Sequence, residues 1–201
     1  MFPVGGVGVM LLGALLGAVV CGALAAALRR PLGGALAGTL AALLWSLVVV
    51  GLVTLIPADG APGIVSAEGR LTTCSWDIGG PAPEGFWIFG SGQRLLNTVL
   101  FVPSGVLITL LGGAVGRRWP RTRPLVPAWT VLGLVLLAAA STGIEYTQLE
   151  LARLDRACDV TDIVDNTTGA VIGVLLGSLV VGTATLLGRR GGRRPRARLD
   201  A

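Results

Sequence analysis

The chain has no histidine and no lysine; all sixteen of its basic residues are arginine. A Ser-His-Asp or Cys-His nucleophile therefore cannot be built from this chain alone. A Schiff base and a Ser-Lys dyad are excluded for the same reason. A zinc site would lack imidazole, and the three cysteines, Cys21, Cys74 and Cys158, form no CxxC pair. Charge is scarce as well, at 13% of residues, where a soluble domain carries about a quarter. The acid–base groups that remain are carboxylates, with Tyr146 and the three thiols behind them. Coding bias is a sufficient account of the missing lysine and histidine, so their absence narrows the chemistry without naming it.

Apolar sequence is abundant: 53% of residues are hydrophobic and mean hydropathy is +0.78. These values predict an integral membrane protein, all-α, a polytopic bundle of about five transmembrane helices. The apolar runs place the spans at residues 4–28, 36–56, 94–115, 126–148 and from 162 or 163 to 187. No basic segment precedes the first run and Arg29-Arg30 follow it, the reverse of a secretory signal, so it reads as a retained helix. Gly13 and Gly17, and then Gly169, Gly173 and Gly177, fall at spacings that let a second helix approach closely. Pro103, inside the third run, removes a backbone donor and is expected to kink that helix or open a pocket. The run Phe86-Trp87-Ile88-Phe89 suits an interfacial aromatic belt. In domain terms, residues 1–188 are one transmembrane bundle, 57–93 an external loop and 189–201 a basic cytoplasmic tail lying against anionic headgroups.

Charge orients the bundle. Twelve of the sixteen arginines lie at Arg29-Arg30, between Arg117 and Arg123, and in the tail; Arg70, Arg94, Arg153 and Arg156 make up the rest. The positive-inside rule makes the arginine-rich side cytoplasmic. Five spans then put the N-terminus outside and the C-terminus inside. Ten of the eleven acids, all but Asp200, fall at or beyond the outer face.

Six of those acids lie in the stretch from Ser141 to Gly173: Glu145, Glu150, Asp155, Asp159, Asp162 and Asp165. On a helix, Glu145 and Gln148 share a face. If the chain is helical from Asp155, then Asp155, Asp159, Asp162 and Asn166 form a one-sided stripe.

Two blocks resemble the VanZ family, membrane proteins named for teicoplanin resistance. The first is LNTVLFVPSGVLI, through Asn97, Phe101, Pro103 and Gly105; the second is STGIEYTQ and RACDVTDIVDNTTGAVIG, through Glu145, Gln148, Arg156, Asp159, Asp162, Asn166, Gly169 and Gly173. The likeness covers roughly residues 94–177, the family-like core. Asp165 departs from it, standing where the family pattern is expected to be apolar. The resemblance implies a plasma-membrane protein linked to reduced susceptibility to lipoglycopeptides, with membrane lipids, a lipid-linked cell-wall precursor or the lipoglycopeptide itself as partners, and no nucleic acid.

Two readings of the polar residues stand side by side. In the structural one, Asp159 caps the fifth helix, Asp162 favours its dipole, Arg156 pairs with either, and Asn97 caps the third helix. In the functional one, Asn97, Glu145, Gln148, Arg156, Asp159, Asp162 and Asn166 line one cavity open to the outside. There Arg156 suits a phosphate, and the carboxylates suit an amine or a divalent cation; no other cofactor is implied. Such a cavity either binds a headgroup or, with Glu145 or Asp162 as catalytic base, transfers or hydrolyses one. Transport is a third class, but the chain has no visible inverted repeat. Cys74 and Cys158 lie in the two external connections, where a disulfide can persist and would strap the long loop over the Arg156–Asp159 segment. Cys21, within the first span, is expected to be an inert core residue.

Overall fold

In a computed structural model of the protein, the structure describes residues 5–56, 73–77, 92–150 and 158–191. The order is α1 (Val7–Leu32), α2 (Gly34–Leu55), α3 (Gly92–Arg118), a 3₁₀ helix over Pro120–Leu125, α4 (Val126–Glu150) and α5 (Val160–Gly191). The described residues contain five helices long and apolar enough to cross a membrane and no strand beyond one isolated bridge. The observed helices run a few residues past the apolar runs, because polar residues at a helix end continue the backbone hydrogen-bond ladder without needing burial. Thus α1 continues through Arg29, Arg30 and Pro31. A single residue, Gly33, joins it to α2 with φ of 86°, a left-handed conformation that glycine adopts at no steric cost.

Apolar side chains face outward. Leu11, Leu12, Leu15, Leu16, Val19 and Val20 of α1 are exposed, as are Val131, Leu132, Val135 and Leu136 of α4. A water-soluble bundle would bury such rows, whereas lipid solvates them. The interior is apolar at one level, where Val50, Phe101, Leu137 and Ala170 pack with Leu100, Ile108, Leu134 and Ile144. Elsewhere it is polar: Ser46 and Ser104 share a buried 2.8 Å hydrogen bond between α2 and α3.

Helix contacts rest on small residues. A Cβ on Gly13 would lie 2.8 Å from Leu52, and one on Gly17 3.0 Å from Val48, so this pair does seat α2. The indole N–H of Trp45 also donates to the Ala14 carbonyl across that contact, at 2.9 Å. The packing of α3 on α5 is tighter. Cβ atoms on Gly105, Gly169 and Gly173 would collide with the carbonyl oxygens of Ala170, Thr98 and Val102. One on Gly177 would lie 2.9 Å from the Val106 carbonyl oxygen. Backbone meets backbone here, and only glycine permits it. These pairs advance together along both helices, so α3 and α5 run parallel. Gly133 packs on Ile108 and Gly112 on Val126, which makes α4 antiparallel to α3. Pro103 lies on an exposed face of α3, which remains helical to Arg118.

This alternation gives the bundle two chemically different ends. One gathers Arg29, Arg30, Arg117, Arg118, Arg121 and Arg123. The other gathers the end of α2, the start of α3, the end of α4 and the start of α5, with Glu145, Asp159, Asp162 and Asp165. The loop aromatics Phe86 to Phe89 and the terminal tail beyond Gly191 lie outside the described residues.

Candidate functional site at the acidic end

The start of α5 is held by a small non-helical assembly. Cys74 and Cys158 form a disulfide across 84 residues of sequence. Ser75 then pairs with Asp159 as a parallel bridge: the Ser75 N–H donates to the Cys158 carbonyl at 2.9 Å, and the Val160 N–H donates to the Ser75 carbonyl at 3.1 Å. The Asp159 carboxylate accepts from the Thr161 N–H at 2.8 Å, which is the N-cap interaction on α5. The Thr161 hydroxyl donates to the Asp77 carbonyl at 3.2 Å. Asp159 is therefore extended, and the helical stripe expected from Asp155 begins only at Val160; Asp155 itself lies outside the described residues.

Below this cap, the four helices turn polar groups inward. Glu145, 2% exposed, accepts the Asp159 N–H on Oε2 at 3.1 Å. The Gln148 amide N–H donates to the Thr54 carbonyl at the end of α2, at 2.8 Å. That bond ties α4 to a helix on which no family motif had been found. The Asn166 side-chain amide donates to the Ser141 hydroxyl at 2.9 Å. Asn97 is buried on α3, and its Nδ2 has no hydrogen-bond partner; Asn166 Oδ1 is likewise buried without one. Asn97 does not cap α3, since it lies five residues inside a helix that starts at Gly92.

The largest departure from expectation is Asp165. In place of an apolar residue, a fully buried carboxylate makes a bidentate ion pair with Arg94. The Arg94 Nε and terminal guanidinium nitrogen each lie 2.8 Å from one carboxylate oxygen. The fork of guanidinium donors matches the two carboxylate oxygens, so each charge has a directed partner away from water. Arg94 also lies in the electrostatic field of Asp159 and Asp162 and has interactions beyond these. Sequence reasoning passed over this pair. The signal was present in the spacing: Asp165 lies four residues before Gly169 on the glycine face that meets α3, and Arg94 lies four before Thr98, which Gly169 contacts.

Of the residues singled out in the sequence, Asn97, Glu145, Gln148, Asp159, Asp162 and Asn166 thus come to one end of the bundle, with Asp159 and Asp162 half-buried at the start of α5. Arg156 lies outside the described residues. Among the described residues, no three Asp, Glu or Cys side chains are grouped as a metal site needs. Cys21 is a buried free thiol in α1.

Five apolar helices, lipid-facing leucine rows and a polar interior at one end define a multi-pass membrane protein. The VanZ/LLP1 family model matches residues 43–181, more than half of the chain, and the chain belongs to that family. The match includes most of α2, as expected of a helix that bonds to the core through Ser46 and Thr54. No curated protein and no solved structure matches the chain.

Proposed function

We propose that the protein lies in the plasma membrane with its N-terminus and acidic end outside, and that this end binds the polar headgroup of a cell-envelope lipid or lipid-linked cell-wall precursor. Through that binding it lowers susceptibility to lipoglycopeptides such as teicoplanin. The orientation follows from the arginines at the opposite end. The observation that carries the binding reading is the polar interior itself. Carboxylates and amides within a membrane bundle are costly unless they face each other, water or a ligand. Here the buried Glu145 and the two asparagines lie toward the acidic end, and each asparagine has a polar atom without a partner. Glu145 enters as a binding group because one of its oxygens already accepts the Asp159 N–H.

The test is the lipid that the protein retains when purified from its own membranes in mild detergent, identified by mass spectrometry. Wild type is expected to hold one headgroup class well above its abundance in the membrane. Glu145→Gln, which keeps the shape and removes the charge, is expected to lose that enrichment severalfold, while Gly143→Ala on the open face of α4 keeps it. Equal enrichment in wild type and Glu145→Gln would defeat the reading.

A further inference from the structure

We infer that the acidic-end site reads a hydroxyl group, so that its ligand is a glycerol- or sugar-type headgroup; this rests on the headgroup reading above and specifies its substrate class. Two atoms carry it. Asn97 Nδ2 is a donor and Asn166 Oδ1 an acceptor, on residues 6% and 2% exposed, and neither has a partner. Both atoms are buried within the bundle, so each orphan is costly, and native interiors carry few of them. A pair of opposite sense is rarer, and it defines its complement: a group that accepts from one and donates to the other. A hydroxyl does both, whereas a phosphate oxygen only accepts and an ammonium only donates.

The two asparagines face the same interior. Asn97 continues along the buried row through Phe101 and Ser104, whose hydroxyl meets Ser46 of α2. Asn166 is turned toward α4, where one end of its amide meets Ser141. With its Nδ2 donating to Ser141, the Asn166 amide leaves Oδ1, an acceptor, as the atom without a partner. Parallel packing of α3 on α5 sets Thr98 against Gly169 and Arg94 against Asp165. Asn97 and Asn166 are therefore within about one helical turn of each other in depth. They lie about 7.5 and 9 Å below the helix starts at Gly92 and Val160 respectively, at 1.5 Å per residue. That is the reach of a headgroup inserted from the acidic end. The Arg94–Asp165 pair, bidentate and pre-formed, fixes α3 against α5 at this level and so fixes the spacing of the two amides.

The probes are phosphatidylglycerol and phosphatidylmethanol, which carry the same charge and chains and differ in the glycerol hydroxyls. Each is titrated into the purified protein in a sugar-free polyoxyethylene detergent, with the unfolding midpoint as readout. Glycerol 3-phosphate in a third arm separates a lipid source from a soluble one. Wild type should bind phosphatidylglycerol about tenfold more tightly than phosphatidylmethanol, the size expected for two neutral hydrogen bonds in a buried site. Asn97→Leu and Asn166→Leu should each erase most of that ratio. Without lipid, Asn97→Leu should be at least as stable as wild type, since it removes an unpaired donor; a large loss there would reveal a structural partner and overturn the inference. Equal binding of the two lipids would overturn the hydroxyl assignment and leave the headgroup reading standing. A preference that survives in both variants would also overturn it. If neither lipid nor glycerol 3-phosphate shifts the midpoint, the headgroup reading falls and this inference with it.

Discussion

Replacing Arg94 by Leu should destabilise the bundle more than replacing Asp165 by Leu. Removing one partner from a buried pair leaves the other charge uncompensated, at a cost of about 3–5 kcal/mol, or roughly a hundred- to several-thousand-fold in the folding equilibrium. The two partners are not equivalent. The Asp165 side chain is 0% exposed, so without Arg94 its buried carboxylate loses the cation that compensates it. The Arg94 side chain is 11% exposed and keeps the field of Asp159 and Asp162, so losing Asp165 leaves it partly compensated. Arg94→Leu should fall near the top of the range and Asp165→Leu near or below its foot. Leucine at both positions removes both charges and fills the space; it should lie within about 2 kcal/mol of wild type, because an apolar replacement of a buried pair is often neutral. The assay is reversible unfolding in mixed micelles with increasing dodecyl sulfate, followed by circular dichroism. The double-mutant cycle then isolates the coupling. Additive single effects, or Arg94→Leu costing under about 1 kcal/mol, would refute the assignment of this pair as a buried, mutually dependent element.

Other consequences follow from the same geometry. Gly173→Ala, whose Cβ would meet the Val102 carbonyl and lie 2.9 Å from Gly105 Cα, should cost about 1–3 kcal/mol by overpacking; Gly143→Ala, with open space around it, should be neutral or gain up to about 1 kcal/mol. Both are read by the same unfolding curves. Asp159→Ala should cost about 1 kcal/mol from the lost cap, with faster amide exchange at Thr161 as its local signature. Reducing the Cys74–Cys158 bond should cost less than the roughly 4.5 kcal/mol that chain entropy gives for a loop of this length, since α3 and α4 lie within the loop and stay helical in micelles; thiol labelling before and after reductant, paired with the unfolding midpoint, measures it. Reporter fusions after Gly116 and after Asp77 should read cytoplasmic and external respectively; the opposite result would place the acidic end inside.

Much of this fold was legible because lipid imposes a simple code: apolar runs of spanning length, arginines on one side, glycines every fourth residue where backbones touch. Gly13, Gly17, Gly169 and Gly173 each do what their spacing implied. The candidate site was legible in its membership, since Asn97, Glu145, Gln148, Asp162 and Asn166 do reach one end. Most of its internal bonding was not. Asp159 was legible as the cap of α5, but its extended backbone was not, because helical periodicity cannot register a competing bridge to Ser75, 84 residues away. Asp165 looked misplaced because a buried carboxylate is intelligible only with its cation in view, and Arg94 is 71 residues away. The roles of Thr54 and Ser46 depend on which helix lies alongside, and an apolar periodicity shared by all five helices does not encode that.

The central claim, that the acidic end is a functional headgroup site, is tested most directly in cells. A strain lacking the gene is complemented with wild type, Glu145→Gln or Gly143→Ala, matched for expression, and teicoplanin susceptibility is measured beside the lipid and cell-wall precursor profile. The account predicts that deletion raises susceptibility and alters the profile, that wild type and Gly143→Ala restore both, and that Glu145→Gln restores neither in full. A deletion that changes neither readout, or full rescue by Glu145→Gln, would contradict it.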